Sequence, residues 1–143
     1  MVLKRIFGRT KSVAVREFSI PAGQRFYAVG DIHGRLDLLD ALIAQIDADH
    51  AARGPAEMHL VFLGDLVDRG PQSRGVVERV MELCANRANT RCLGGNHEDI
   101  LLRCLEGDKR TLSTFHRVGG RETLISYGVS ADDYDVASLD EIS

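Results

Sequence analysis

Three short runs suited to β-structure, each closing on glycine and then a residue that can ligate a metal, recur along this chain at nearly equal intervals. Residues 25–29 (RFYAV) end at Gly30-Asp31, residues 58–63 (MHLVFL) at Gly64-Asp65, and residues 90–93 (TRCL) at Gly94-Gly95-Asn96. Gly30 and Gly64 stand 34 residues apart, and Gly64 and Gly95 stand 31 apart, which is the length of a strand, a covering helix and a return. The intervals carry helical apolar spacing: Leu36, Leu39, Leu42, Ile43 and Ile46, then Val76, Val77, Val80, Met81 and Cys84. Arg53-Gly54-Pro55 breaks the first of these helices. A third helix is predicted through Ile100, Leu101, Cys104 and Leu105, stopping near Gly107. The order β-α-β-α-β-α predicts an α/β fold with parallel neighbouring strands joined by right-handed crossovers. The nearly all-apolar second strand further predicts a sheet covered on both faces.

Composition narrows the functions open to such a chain. With 143 residues, 44% hydrophobic and 27% charged, it is long enough for one domain with its own core. The net charge of -3 argues against nucleic-acid binding through phosphate neutralisation. No apolar run approaches the roughly 20 residues of a membrane span. Cys84, Cys92 and Cys104 are odd in number and form no C-x-x-C pair, so neither a disulfide framework nor a thiolate zinc site is expected. They are expected to act as small buried hydrophobes. The N-terminus lacks the apolar segment of a secretory signal, and a cytoplasmic location is expected.

Charge divides the chain into three parts. Residues 1–20 carry Lys4, Arg5, Arg9, Lys11 and Arg16 against Glu17 alone; residues 129–143 carry Asp132, Asp133, Asp135, Asp140 and Glu141 with no base. The expected organisation is a basic, solvated leader (1–23), a catalytic-type domain portion (24–128) and an acidic tail (129–143). Gly8-Arg9-Thr10-Lys11-Ser12 lacks the spacing of a phosphate-binding loop.

The polar residues at the strand ends carry the chemistry. Ligands gather at the carboxyl ends of parallel strands, so Asp31, His33, Asp65, Asn96 and His97 are expected to converge there. Carboxylate, imidazole and carboxamide suit divalent manganese, iron or zinc. Asp31 and His33 can hold one ion, Asp65 can bridge to a second, and Asn96 can offer that second ion a neutral oxygen. Two such ions form a clamp for phosphate ester hydrolysis. His50, His59 and His116 are expected to be surface or structural.

The segments Gly30-Asp31-Ile32-His33-Gly34, Gly64-Asp65-Leu66-Val67-Asp68-Arg69-Gly70 and Gly95-Asn96-His97-Glu98 resemble the three signatures of the calcineurin-like metallophosphoesterases. More narrowly they resemble the bacterial serine/threonine branch of the phosphoprotein phosphatases, and residues 112–128 resemble the weaker stretch that follows in its members. The resemblance implies an α/β/β/α sandwich of which this chain carries the first half, the second half being missing. It implies Asp31 and His33 on the first metal, Asp65 bridging, and Asn96 on the second, with manganese the metal expected and iron or zinc as alternatives. It further implies that Arg69 grips phosphate oxygens, that His97 is the general acid oriented by Asp68, and that the nucleophile is a metal-bridging hydroxide.

Family members take two further metal-binding histidines from a later half of the domain, whereas residues 117–143 hold no histidine. The chain alone is therefore expected to bind at most one metal well and to be nearly inactive. Three functions stay open on this reading. The first is a serine/threonine protein phosphatase acting on phosphorylated proteins, favoured because the nucleotide branch tends to lose the aspartate matching Asp68. The second is a symmetrical bis(5'-nucleosyl)-tetraphosphatase, and the third a truncated, non-catalytic fragment with an incomplete metal site.

Overall fold

The computed structural model of the chain describes residues 19–140. Most of the expected basic leader, including Gly8–Ser12, lies outside the described residues. The described elements are β1 (Gln24–Val29), α1 (Leu36–Ala52), β2 (Glu57–Phe62), α2 (Ser73–Asn86), β3 (Thr90–Cys92) and α3 (Asn96–Leu105), followed by α4 (Lys109–Arg117), α5 (Gly120–Ser126) and α6 (Ala131–Asp140). The strands form one sheet in the order β1-β2-β3. Both pairings are parallel: Val29 lies opposite Phe62, and Phe62 opposite Cys92. The three strands therefore finish on one row. The α/β class and the alternating order agree with the sequence expectation.

Consecutive parallel strands in spatial order place their crossover helices on the same face. That face holds the core. Leu39, Ile43 and Ile46 of α1 and Val76, Val80 and Leu83 of α2 are buried in one cluster with Val29, Leu60 and Phe62 of the strands. The first turn of α1 carries Asp37, favourable at the positive end of the helix dipole. The helix is followed by Gly54, whose left-handed backbone (φ 62°) turns the chain toward β2. Not every apolar position of the helical pattern reaches the core: Leu42, Met81 and Leu105 lie on outer faces and are exposed.

Among the described residues helices cover one face of the sheet and the other is open, as expected of the first half of a sandwich rather than of a sheet covered on both faces. Strand residues alternate, so Phe26, Ala28, Val61 and Arg91 point away from α1 and α2. Phe26 is 43% exposed, and Leu63 and Leu93, just past β2 and β3, are 50% and 54% exposed. The apolar continuity of β2 thus reflects one face packed on helices and one left open. Cys92 departs from the buried-cysteine expectation for a related reason. It ends β3, which has a paired neighbour on one side only, and is exposed.

The segment after α3 forms helices. Asp108 caps α4 by accepting from the Arg110 amide at 3.2 Å. The acidic segment folds as α6, and Asp135 pairs with Arg121 of α5 through two hydrogen bonds of 2.8 and 2.9 Å. Among the described residues, no helix is long and apolar enough to cross a membrane.

Candidate active site

Because β1, β2 and β3 end on one row, the turns that follow them crowd together and bond to one another. The Ile32 and His33 amides both donate to the Asp65 carbonyl at 3.0 Å, and the Gly34 amide donates to the Leu66 carbonyl at 2.8 Å. The two turns cross with no room for side chains: a Cβ on Gly34 would lie 2.5 Å from the Gly70 carbonyl oxygen. His33, Asp65, Asp68 and Arg69 all adopt left-handed backbone conformations, with φ of 46°, 54°, 71° and 66°. Such positions cost about 1–3 kcal/mol each and persist only where surrounding structure holds them.

The hydrogen bonds that hold them converge on Glu98. Its carboxylate accepts from the amides of Asp65, Leu66 and Gly95 at 2.8 Å each and from Val67 at 3.3 Å. One side chain on α3 therefore ties the β2 turn to the β3 turn. Sequence reasoning assigned Glu98 no role, although its position three residues after Gly95, with a carboxylate reaching back to that amide, is a capping-box signal.

Within this frame one ring nitrogen of His33 is left free to ligate. Its Nδ1–H donates to the Val67 carbonyl at 2.7 Å, so Nε2 carries the free lone pair. That atom is buried and has no hydrogen-bond partner. A buried nitrogen with its lone pair bare is costly unless something binds it, and a backbone carbonyl on the opposite ring nitrogen is the usual support of a metal-binding histidine. One ligand atom from each of His33, Asp65 and His97 lies within 4.8 Å of the others. Asp31, exposed, sits beside them with Oδ2 3.7 Å from His33 Nε2. Asn96, also exposed, opens α3 next to His97, whose amide donates to Asp65 Oδ1 at 3.0 Å. The donor set of carboxylates, imidazoles and one carboxamide fits a divalent metal.

His97 is held on both ring nitrogens. Its Nδ1 lies 2.7 Å from Asp68 Oδ2, and its Nε2 lies 3.3 Å from Arg69 Nη2. A guanidinium only donates, so Nε2 is the acceptor and Nδ1 carries the proton toward Asp68. Asp68 is fully buried and His97 is 3% exposed, whereas Arg69 reaches the surface. The rings of His33 and His97 meet edge to face, with centroids 4.5 Å apart.

Two buried hydroxyls complete this arrangement, and sequence reasoning missed both. Asp68 Oδ1 accepts from Thr123 Oγ1 at 2.7 Å, while the Asp68 amide donates to Thr123 Oγ1 at 2.8 Å and to Ser73 Oγ at 3.2 Å. Isolated Ser and Thr residues carry no periodic signal, so only the fold reveals them. The docking of α5 is helped by Gly119 at its entry, whose carbonyl accepts the Arg69 amide at 3.1 Å. A Cβ on Gly119 would stand 2.8 Å from that same amide nitrogen.

The histidines set aside by the sequence lie elsewhere. His50 contacts Arg25 at 3.0 Å, His59 stacks on Phe26 with centroids 4.3 Å apart, and His116 meets the Tyr134 hydroxyl at 2.9 Å.

Comparison with known proteins points the same way. The chain is 35% identical over 98 residues to a symmetrical bis(5'-nucleosyl)-tetraphosphatase of Ralstonia nicotianae, a match covering 68% of this chain and 29% of that protein. A symmetrical bis(5'-nucleosyl)-tetraphosphatase of Pseudomonas fluorescens is 42% identical over 76 residues, covering 53% of this chain and 24% of its own length. An asymmetrical bis(5'-nucleosyl)-tetraphosphatase of Bacillus mycoides is 33% identical over 92 residues, covering 62% and 37%. The chain thus spans about a quarter to a third of the relatives it matches. Residues 24–142 match the family model described as calcineurin-like phosphoesterase, and with the strand-end cluster they establish that the chain belongs to the calcineurin-like phosphoesterase family.

Proposed function

We propose that this chain carries the metal-binding and acid–base part of a cytoplasmic, manganese-dependent hydrolase whose substrates are bis(5'-nucleosyl) tetraphosphates. The observation that carries the hydrolase reading is the buried, unpartnered Nε2 of His33, aimed into a cluster with Asp65 and His97. The substrate reading rests on relatives bearing that activity in their names. His33, Asp31 and Asp65 would hold the first ion, with Asp65 bridging toward a second that Asn96 also serves. Bound divalent ions supply an activated water and neutralise charge on the transferring phosphoryl group.

The remaining work falls to side chains. Arg69 presents a planar guanidinium at the surface, suited to two phosphate oxygens at once. In the structure it occupies Nε2 of His97, so drawing it onto a phosphate frees that nitrogen. The freed Nε2 takes up a proton from solvent, and the resulting imidazolium passes that proton to the leaving oxygen, while Asp68 holds Nδ1–H and balances the charge.

A second reading, a serine/threonine protein phosphatase, is favoured by one observation: the Asp68–His97 pair is intact and buried. An alkoxide leaves far less readily than a nucleoside diphosphate and gains more from a positioned acid. The test supplies the chain with manganese and, separately, diadenosine tetraphosphate, a phosphothreonine peptide and p-nitrophenyl phosphate. The expected result is slow, chelator-sensitive release of ADP, with the dinucleotide preferred. A tenfold preference for the phosphopeptide would move the assignment to the second reading. No turnover of any substrate despite bound manganese would establish a non-catalytic fragment.

A further inference from the structure

We infer that Thr123 is a positioning residue for the acid of this site, acting on His97 through Asp68. The inference rests on the assignment of His97 as proton donor made above. The geometry is a chain of short bonds through buried atoms. Thr123 Oγ1 donates to Asp68 Oδ1 at 2.7 Å, and Asp68 Oδ2 accepts from His97 Nδ1 at 2.7 Å. Thr123, Asp68 and Ser73 have no exposed surface. A carboxylate so placed cannot exchange a lost partner for water, so each oxygen depends on the one donor it has. Thr123 occupies Oδ1 and thereby leaves Oδ2 to face the imidazole. It also accepts the Asp68 amide at 2.8 Å, closing a ring that fixes both the backbone and the carboxylate of a residue held at φ 71°.

The anchoring of α5 does not depend on this hydroxyl. The Gly119 carbonyl takes the Arg69 amide at 3.1 Å, and Ser126 Oγ takes the Arg74 amide at 3.0 Å. Removing one hydroxyl therefore loosens Asp68 while α5 stays attached at both ends. A residue 55 positions along the chain from Asp68 thus sets the rotamer of the carboxylate that holds Nδ1–H of the acid.

The experiment compares Thr123→Val, which keeps shape and loses the hydroxyl, with Thr123→Ser, which keeps the hydroxyl. The first readout is the long-range 1H–15N spectrum of His97 at alkaline pH, recorded for every variant in an Arg69→Ala background so that the guanidinium does not itself hold Nε2 as the acceptor. Wild type and Thr123→Ser are expected to show one Nδ1–H tautomer, and Thr123→Val a mixture. The second is steady-state kinetics with manganese on phenyl phosphate, whose poor leaving group needs a proton. Thr123→Val is expected to lower kcat roughly tenfold with KM unchanged, and Thr123→Ser to stay within about twofold of wild type. If Thr123→Val does not fold, Thr123→Cys, with a weak S–H donor, takes its place and is expected to show a partial loss in both readouts. A single Nδ1–H tautomer in the folded Val or Cys variant, or losses in Ser equal to those in Val, would overturn the inference. The spectrum needs no substrate. A chain that hydrolyses nothing but shows the tautomer shift would refute the hydrolase reading and leave the positioning role standing.

Discussion

The two ends of the sheet's chemistry differ sharply. At the carboxyl ends of the strands, left-handed turns are stitched together by Glu98, Thr123, Ser73 and the Asp65 carbonyl. On the sheet face opposite α1 and α2, Phe26, Leu63 and Leu93 stand exposed with apolar surface turned to solvent. The strand ends are polar, strained and nearly saturated with internal partners. The open face is apolar, unstrained and without a covering layer among the described residues. The contrast teaches that, among the described residues, the hydrogen bonds between the strand-end turns run within residues 31–126, while the open sheet face has no covering layer. Chemistry and stability should therefore respond to different substitutions.

The largest effect should come from Asp65→Asn, which removes the carboxylate charge proposed to hold the metal. A loss in kcat on the order of a thousandfold is expected, with manganese affinity measured alongside by calorimetry. Equal manganese affinity in this variant would break the assignment of Asp65 as a ligand. Asp68→Asn should follow, with kcat falling about a hundredfold on phenyl phosphate, whose leaving group needs a proton, and markedly less on p-nitrophenyl phosphate, whose phenolate leaves without one. Equal losses on both substrates would show that Asp68 does not act through the His97 proton. Arg69→Lys should lose phosphate affinity, read as a raised KM, because an ammonium does not reproduce a two-point contact.

Glu98→Gln acts on the frame rather than the chemistry. It replaces a charged acceptor of several amides by a neutral one, and about 1–3 kcal/mol of stability should go, measured by urea denaturation. The smallest effect on folding belongs to the open face. Leu93→Glu should change unfolding free energy by less than about 0.5 kcal/mol. It should nonetheless reduce self-association, followed by light scattering, since exposed apolar patches drive association. A large stability loss there would show that the face is buried in solution.

How much of this was legible in the sequence follows from what each residue depends on. Asp31, His33, Asp65, Asn96 and His97 each follow a strand, and the intervals between Gly30, Gly64 and Gly95 announce parallel strands. Their convergence follows from topology alone. Asp68 and Arg69 became candidates only through the family resemblance, since nothing in their spacing pairs Asp68 with His97. Thr123 and Ser73 left no trace, because a single buried hydroxyl is distinguished only by what folds against it. Cys92 was misjudged because apolar spacing does not reveal whether a strand has a neighbour on each side. The even apolar run of β2 likewise does not tell one covered face from two.

The central claim is that the strand ends form a divalent-metal site built on His33. Calorimetric titration of manganese into the chain and into His33→Ala tests it most directly. One saturable site per chain, lost in His33→Ala while the circular dichroism spectrum is retained, is the predicted result. No binding by the native chain, or equal binding by the folded variant, would contradict it.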